Sequence, residues 1–231
     1  MLDILRRGLA RLGLDPSRAE ALADFAALVL EKNKVMNLTA ITDPAEFARL
    51  HLLDSAALLG AVDPAGKSLI DVGTGAGFPG VPIRVLCPEA HVTLLDSTGK
   101  RVEFLRQSCE ALGLDSVDCV HARAEEYAAS HRERFDCAVS RAVAALPVLC
   151  ELCLPLVKVG GQFLAMKSVD SDAELEAANR AIQTLGGRLN RVTDYAIPET
   201  EVVHRLIVID KVSPAPAKYP RAFGQIKRKP L

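Results

Sequence analysis

Three glycines lie on alternate residues directly after a short apolar run, in the stretch Asp71-Val72-Gly73-Thr74-Gly75-Ala76-Gly77. The apolar run before it, 68–70, predicts a buried strand. The three glycines let the backbone turn sharply and approach a ligand with no Cβ in the way. The next apolar run, 91–95, ends at Asp96. Because a glycine loop and a carboxylate at the ends of adjacent strands hold nucleotide-like cofactors by the ribose, we expect such a cofactor here.

The cofactor that fits this spacing is either a dinucleotide or S-adenosylmethionine (AdoMet). The dinucleotide fingerprint G-x-G-x-x-G fails when counted from Gly73, because Phe78 stands in place of the third glycine. Counted from Gly75, the fingerprint fits only with its first glycine four residues beyond Asp71, the last aspartate of the strand. The spacing D-x-G-x-G-x-G instead resembles motif I of the class I AdoMet methyltransferases. We therefore predict AdoMet as the cofactor and keep NAD as the alternative.

The fourth predicted strand ends in Ser140-Arg141-Ala142, at the edge where an open α/β sheet carries its chemistry. This tripeptide has neither the Asn/Asp-Pro-Pro-aromatic motif of exocyclic-amine methylation nor the Pro-Cys pair of pyrimidine C5 methylation. It also lacks the carboxylate cluster of metal-dependent O-methylation. What remains is an acceptor that needs little activation, such as guanine N7, for which proximity, orientation and electrostatics suffice.

Two regions of predicted secondary structure position these residues: a helical N-terminal region and a region in which strands alternate with helices. The first sixty residues read as helices, with Ser17 and Glu20 as a capping box and Asp43-Pro44 as the start of a helix that runs to about Leu59. From Lys67 onward, strands alternate with helices, which predicts a parallel sheet. The expected strands are 68–72, 91–96, 117–121, 135–140 and 161–167, and the expected helices lie near 80–86, 98–112, 124–131, 142–158 and 171–185.

Two further strand-like runs, 187–197 and 201–210, follow one another with no helix between them. They are therefore expected to pair as an antiparallel hairpin at the end of the sheet. Five βα units closed by such a hairpin resemble the seven-stranded sheet of the methyltransferases.

The composition is that of an ordinary globular protein of 231 residues, 49% of them hydrophobic and 25% charged. No apolar run reaches membrane-spanning length and the N-terminus has no signal-peptide core, so we expect a cytoplasmic location and no membrane contact. The six cysteines include one C-x-x-C pair, Cys150 and Cys153, with no second Cys or His pair nearby. We expect these thiols to pack in the core, with no metal site and no disulfide.

The net charge of −1 hides an asymmetry at the C-terminus. A linker-like stretch, 213–217, leads into a basic tail that has no acidic residue and carries Lys218, Arg221, Lys227, Arg228 and Lys229. The rest of the chain therefore has 23 basic against 29 acidic residues. A basic tail on an acidic body indicates a local contact with a polyanion, although a solvated disordered end explains the charge equally well.

Taken in order, these motifs resemble the bacterial small-subunit ribosomal RNA (guanine-N7)-methyltransferases, also called the glucose-inhibited division protein B family. The resemblance spans nearly the whole chain and is carried by 33–41, His51-Leu52-Leu53-Asp54-Ser55, 71–80, 95–97 with Lys100-Arg101, Ser140-Arg141-Ala142 and 218–231. Each motif alone is modest, but their occurrence in order is highly specific. One departure is Ser168 after Lys167, where the family pattern has glycine.

The resemblance implies a Rossmann-like class I AdoMet-methyltransferase fold. This α/β fold has a mostly parallel seven-stranded sheet, an antiparallel C-terminal hairpin and an N-terminal helical extension. We divide the chain into the extension at 1–60, the AdoMet-dependent methyltransferase domain at 61–212 and the basic C-terminal tail at 213–231, all within one single-domain protein.

The resemblance also implies a guanine in 16S ribosomal RNA as substrate, with 16S rRNA or the small ribosomal subunit as partner. We expect the protein to be a monomer. It implies cofactor contacts at Gly73, Phe78, Ala124, Glu125 and Arg141, to which the glycine loop adds Gly75, Gly77 and Asp96. We assign Arg141 to positioning, because its planar fork suits a phosphate or the AdoMet carboxylate, whereas N7-methylguanine is itself cationic. His51 has no visible partner in the sequence and is interpreted as a packed or surface histidine.

The expected RNA contacts are basic side chains that meet phosphates: Lys100, Arg101, Lys218, Arg221, Lys227, Arg228 and Lys229. We expect deletion of 218–231 to weaken RNA binding and to leave AdoMet affinity nearly unchanged. Three other functions compete with this interpretation. They are an NAD-dependent dehydrogenase, a non-catalytic RNA-binding or assembly protein with a vestigial AdoMet site, and an AdoMet-dependent enzyme that acts on small molecules.

Overall fold

The computed structural model describes residues 1–231 and contains one seven-stranded sheet. Its strands are β1 (Ser68–Val72), β2 (His91–Asp96), β3 (Val117–His121), β4 (Phe135–Arg141), β5 (Val157–Ser168), β6 (Gly187–Ala196) and β7 (Val203–Lys211). They lie in the order β3-β2-β1-β4-β5-β7-β6, and β7 alone runs in the direction opposite to the other six strands. The mostly parallel sheet with a C-terminal hairpin is therefore confirmed. Because the strand order reverses between β1 and β4, a crevice opens at their carboxyl ends.

Ten α-helices surround the sheet: α1 (Leu2–Arg11), α2 (Ala19–Met36), α3 (Pro44–Phe47), α4 (Asp54–Ala57), α5 (Gly80–Leu86), α6 (Gly99–Ala111), α7 (Ala124–Ser130), α8 (Leu146–Cys153), α9 (Asp172–Thr184) and α10 (Phe223–Arg228). A π-helix, Ala48–Leu53, joins α3 to α4, and short 3₁₀ turns occupy Pro16–Arg18 and Leu58–Gly60. None of these helices combines the length and the apolarity that crossing a membrane requires.

The sheet has a buried core on each face. Neighbouring residues of β1 point to opposite sides, so Leu69 packs in one cluster and Ile70 in the other. The first cluster includes side chains from α1, α2, the π-helix, α5 and α6, and the second includes side chains from α8, α9 and α10. The N-terminal helices thus share a core with the sheet, and the C-terminal helix is anchored on the opposite face through Ile226.

Helix starts in the N-terminal region follow the capping residues that are present. Asp43 caps α3, because its carboxylate accepts the amides of Ala45 and Glu46 at 3.0 and 2.9 Å. The predicted capping box at Ser17 and Glu20 is wrong. Asp15 accepts both the amide and the hydroxyl of Ser17, which starts a 3₁₀ turn, and α2 begins afterwards at Ala19.

The helix predicted over 142–158 is shorter than expected. Ala142 has a φ of +56°, a left-handed conformation that no α-helix contains, and the helix α8 begins only at Leu146. It ends at Cys153, and β5 begins at Val157, inside the predicted helix. The apolar run across this boundary has no periodicity that separates a buried helix from a buried strand.

Candidate active site

The loop after β1 is fixed by Asp71, whose side chain is completely buried. One carboxylate oxygen accepts the Thr74 hydroxyl at 2.7 Å and the Gly80 amide at 2.8 Å, and the other has no partner. Burial raises the pKa of Asp71 to about 6, against the effect of these hydrogen bonds. Asp71 therefore links the start of the glycine loop to the start of α5 through hydrogen bonds from the buried side of the loop.

Two of the three predicted glycines line a cavity. Gly73 has a φ of +75°, and a Cβ at this position would lie 2.5 Å from Cγ2 of Val143. Gly75 has a φ of +60°, and its Cβ position is open, with only the Gly73 carbonyl oxygen at 4.0 Å. Gly77 differs from the expectation of a cofactor contact. It lies behind the cavity, and its Cβ would come within 2.9 Å of Phe25, Val81 and Leu105.

Asp96 lies at the rim of the same cavity with both carboxylate oxygens oriented by the backbone. One oxygen accepts the Thr98 amide at 2.8 Å and the other accepts the Gly75 amide at 3.0 Å. A nitrogen of Arg101 lies 3.8 Å from this second oxygen. Each carboxylate oxygen can accept more than one hydrogen bond, so Asp96 can still receive hydroxyl groups of a ligand. The N-cap of the following helix, α6, is Thr98.

Two adjoining cavities open at the carboxyl ends of β1, β2 and β4. The larger has a volume of about 410 Å³ and the smaller about 170 Å³. They share the residues Gly73, Asp96, Ser97 and Val143 in their walls. An elongated cofactor with a ribose at its middle fits this arrangement, because the ribose-binding carboxylate lies where the two cavities meet and Gly73 leaves the space that a Cβ would fill.

Arg141, at the end of β4, is held by three groups, of which Asp54 is completely buried. One terminal nitrogen donates to the Leu50 carbonyl at 3.0 Å and to the Asp54 carboxylate at 2.9 Å. The other donates to Nδ1 of His51 at 3.0 Å. The Nε–H and one terminal N–H have no protein partner, and the side chain lines the larger cavity. This arrangement is compatible with the predicted positioning role, which stays a prediction.

His51 differs from the expectation of a histidine without a partner. Because arginine can only donate, Nδ1 of His51 accepts from Arg141, and the neutral ring therefore carries its proton on Nε2. That nitrogen lies 2.8 Å from the Thr39 hydroxyl oxygen. Burial, reinforced by the charge of Arg141, lowers the pKa of His51 to about 4. The ring also stacks on Phe78 at 4.8 Å between ring centres.

Phe78 lines the larger cavity and packs against both His51 and Arg141. Its side chain is 5% exposed, and the Arg141 guanidinium lies over its ring at 5.2 Å from the centre. With His51 stacked on the same residue, Phe78 fixes the position of both groups. The predicted packing of Phe78 against a cofactor is compatible with this position and stays a prediction.

Asp54 is the residue of this site that sequence reasoning missed. It is completely buried, and its second oxygen receives Tyr195 Oη at 2.8 Å and Nδ1 of His204 at 2.9 Å. Although burial opposes the charged form, the His204 hydrogen bond and the Arg141 charge lower the pKa of Asp54. The available signal was the His51-to-Ser55 motif, in which His51 on the π-helix and Asp54 at the start of α4 contact the same guanidinium.

Ala124 and Glu125 form part of the wall of the smaller cavity at the start of α7. The Glu125 carboxylate receives Nε of Arg123 at 2.9 Å, so its side chain is engaged with a neighbour. The guanidinium of Arg123 in turn lies 4.9 Å from the ring centre of Phe223, at the start of α10. The tail thus reaches the smaller cavity, which the sequence did not indicate.

The basic residues predicted to meet RNA occupy different environments. Lys218, Lys227, Arg228 and Lys229 are exposed on the tail, and Lys100 is exposed on α6. Arg101 lines the larger cavity near Asp96. Arg221 differs from the expectation, because its guanidinium forms a two-pronged ion pair with the completely buried Glu151, at 2.8 and 2.6 Å. No group of three or more His, Cys, Asp or Glu side chains is arranged to hold a metal ion.

Residues 18–203 match the protein family described as GidB, rRNA small subunit methyltransferase G. A ribosomal RNA small subunit methyltransferase G from Alkaliphilus metalliredigens is 44% identical over 234 residues, which span 99% of this chain and 98% of that protein. The protein of the same name from Clostridium botulinum (strain Loch Maree) is 46% identical over 90% of this chain and 88% of its own length.

Solved structures that share the fold of this chain have low sequence identity to it. TrmN from Thermus thermophilus superimposes with a TM-score of 0.54 at 22% identity, over 68% of this chain and 48% of that one. TYW2 of M. jannaschii, solved in complex with AdoMet, gives a TM-score of 0.54 at 12% identity, over 65% and 72% of the two chains. These similarities confirm the expected Rossmann-like class I methyltransferase fold.

Proposed function

The chain belongs to the family of rRNA small subunit methyltransferases G, and on that premise we propose that it methylates N7 of a guanine in 16S ribosomal RNA. The family match covers most of the chain, and the relatives align with it almost end to end. The N7 atom and the RNA form that serves as substrate are the parts of this proposal that go beyond membership of the family.

S-adenosylmethionine is the methyl donor of this methyltransferase family, and when bound it supplies an electrophilic methyl group on a sulfonium. We propose that Asp96 accepts the ribose hydroxyls, since it lies where the two cavities meet. The backbone at Gly73 and Gly75 then passes along the cofactor, with the adenine beside Ala124 and Glu125. The two unpaired N–H groups of Arg141 suit a carboxylate in the larger cavity.

One observation supports an acceptor that carries its own free lone pair. His51 is the one imidazole that lines the larger cavity, and both of its nitrogens are already hydrogen-bonded, to Arg141 and to Thr39. The low pKa of His51 keeps the ring neutral, but its accepting nitrogen faces Arg141. No free base therefore faces the cavity from this cluster. Guanine N7 needs none, because its lone pair is available at neutral pH and catalysis then rests on proximity and orientation.

The test is methyl transfer from labelled AdoMet to 16S RNA, both naked and within small subunits from a strain that lacks this gene, followed by nucleoside analysis. Label in 7-methylguanosine supports the proposal and identifies the substrate form. Label in another nucleoside overturns the N7 assignment. The absence of label from both substrates, with binding of S-adenosylhomocysteine confirmed separately, overturns the rRNA substrate and favours another acceptor or a non-catalytic role.

We also propose that the protein acts as a cytoplasmic monomer, in the compartment where ribosomal subunits assemble. Light scattering at micromolar protein concentration tests the monomer directly. The expected mass is that of one 24.8 kDa chain, and a mass of twice that value contradicts the proposal.

A further inference from the structure

We propose that the C-terminal segment 218–231 is a structural part of the cofactor site, with the Phe223 ring forming the outer wall of the adenine subsite. This inference rests on the proposed AdoMet site and extends it to a segment that the sequence assigned to RNA alone. Phe223 belongs to the wall of the smaller cavity together with Val72, Leu95 and Ala124. The wall is thus largely apolar and carries one aromatic ring, which is the kind of surface on which a planar heteroaromatic base stacks.

The position of the Phe223 ring is fixed from the sheet side. The guanidinium of Arg123 lies 4.9 Å from the ring centre, and its Nε donates to Glu125 at 2.9 Å. Arg123 and Glu125 line the same cavity as Phe223. The ring therefore has a partner that holds it at the mouth of the cavity, and the same contact links the tail to the start of α7.

The tail on both sides of this ring is anchored to the body. Arg221, two residues before Phe223, binds buried Glu151 through its backbone amide and its guanidinium. Three residues after Phe223, Ile226 is completely buried. Further back, Arg132 donates to the backbone carbonyls of the segment 215–219, at 2.5 Å for Tyr219 and 2.9 Å for Pro216. These contacts distinguish the segment from a free solvated end.

The helix α10 consequently has two different faces. Phe223 and Ile226 face the protein, one at the cavity and one in the core, whereas Lys227, Arg228 and Lys229 are exposed. A segment that served only as a polycation would have no use for the buried ion pair or for an aromatic ring in the cavity wall. The structure therefore gives the tail a cofactor-facing side in addition to its basic side.

The experiment measures binding of S-adenosylhomocysteine and of adenosine by isothermal titration calorimetry to the full chain and to three variants. Phe223→Ala is expected to lower the affinity for both ligands about tenfold, and Phe223→Leu severalfold, because leucine keeps the apolar contact but has no π-face. Gln225→Ala, an exposed position on the same helix, is expected to leave both affinities unchanged. Circular dichroism of each variant confirms that the fold is retained.

A second readout uses the absence of tryptophan from this chain. Phe223→Trp introduces a single indole at the cavity, and its emission is expected to change on addition of adenosine but not of methionine. If Phe223→Ala binds S-adenosylhomocysteine within twofold of the wild type and the indole does not respond, the tail is not part of the site. If the wild type itself binds no S-adenosylhomocysteine, the AdoMet premise of the proposed function fails together with this inference.

Discussion

At the scale of single residues, Gly73 is the position where backbone conformation and close approach act together. A Cβ at Gly73 would collide with Val143 at 2.5 Å, and the backbone φ of +75° at this position also disfavours any side chain. At Gly75 only the positive φ opposes a side chain. We expect Gly73→Ala to weaken S-adenosylhomocysteine binding about tenfold, which corresponds to about 1.4 kcal/mol, and Gly75→Ala to weaken it less. Calorimetric titration measures both affinities.

A second substitution can relieve the collision at position 73 while the backbone φ there stays positive. In the double variant Gly73→Ala/Val143→Ala the smaller side chain leaves space for the new methyl group, so part of the lost affinity should return. Equal losses in the two single glycine variants, or a double variant no better than Gly73→Ala, would contradict this reading of the loop.

His51 makes a second prediction, about pH. Its pKa falls from 6.5 to about 4 on folding, so between these values the unfolded chain binds a proton that the folded chain does not. The stability that comes from the neutral buried ring is therefore present above pH 6.5 and is lost as the pH falls towards 4. We expect the free energy of unfolding of the wild type, relative to His51→Gln, to fall by about 2 kcal/mol between pH 7 and pH 4.5.

Urea unfolding at several pH values measures this difference. The His51→Gln variant must serve as the reference, because Asp71 also titrates in this pH range. The pKa of Asp71 rises to about 6 on folding, so the folded chain binds the additional proton below that value. Its contribution to stability has the opposite sign in the same pH window. Since Asp71 is present in both proteins, it cancels in the comparison. If the difference in the free energy of unfolding between wild type and His51→Gln is constant from pH 7 to pH 4.5, the prediction is wrong.

At the scale of elements, one of the contacts that anchor α10 and the segment before it is a buried ion pair. Glu151 is completely buried and Arg221 is its counter-ion, so Arg221→Ala leaves an unpaired buried carboxylate. We expect a loss of about 3 kcal/mol in the free energy of unfolding and faster tryptic cleavage of the tail. Arg221→Lys should restore only part of the loss, because an ammonium group cannot form the two-pronged contact.

Limited proteolysis with mass spectrometry, alongside urea unfolding, tests this prediction. Lys227→Ala is the matched control, since it removes a neighbouring basic side chain that is exposed and has no ion-pair partner. The ion pair is not what holds the tail if cleavage is no faster in Arg221→Ala than in Lys227→Ala.

The elements that could be predicted from the sequence are those with a local signal. Alternation of apolar runs and turn residues gave all seven strands, and Asp43-Pro44 marked a helix start that Asp43 indeed caps. The boundary between α8 and β5 could not be predicted, because residues 146–157 are apolar apart from Glu151 and all of them are buried. The start of α8 was missed because the left-handed Ala142 carries no glycine signal. The π-helix Ala48–Leu53 likewise carries no local signal that we recognised in the sequence.

The residues of the site likewise divide into those with a local sequence signal and those that only the fold brings together. Gly73, Gly75 and Asp96 could be placed at the cavity from the sequence, because the loop directly follows β1 and Asp96 ends β2. The cluster around Asp54 could not be predicted, because its partners Arg141, Tyr195 and His204 lie 87, 141 and 150 residues away along the chain. The tail shows the same division, since its charge indicated the exposed basic side chains but not that Phe223 lines the smaller cavity or that Ile226 is buried.

At the scale of the whole molecule, the carboxyl edge of the sheet gathers the cofactor cavities and one side of the tail, so RNA affinity and cofactor affinity can be separated by substitution. We expect the triple variant Lys227→Ala/Arg228→Ala/Lys229→Ala to bind 16S RNA more weakly and to reduce the slope of log affinity against log salt by about 2, since each lost phosphate contact removes roughly 0.7–0.9. S-adenosylhomocysteine affinity should be unchanged, because these side chains are exposed and Phe223 is retained.

Filter binding at several salt concentrations measures the slope, with Arg188→Ala as the control. Arg188 is a well-exposed basic residue on β6, the strand at the far end of the sheet, so its loss should leave the slope unchanged. If the triple variant keeps the wild-type slope, the exposed cations of the tail do not contact phosphates. If instead it loses cofactor affinity along with RNA affinity, the two faces of α10 are not independent, and the basic face helps to hold Phe223 at the cavity.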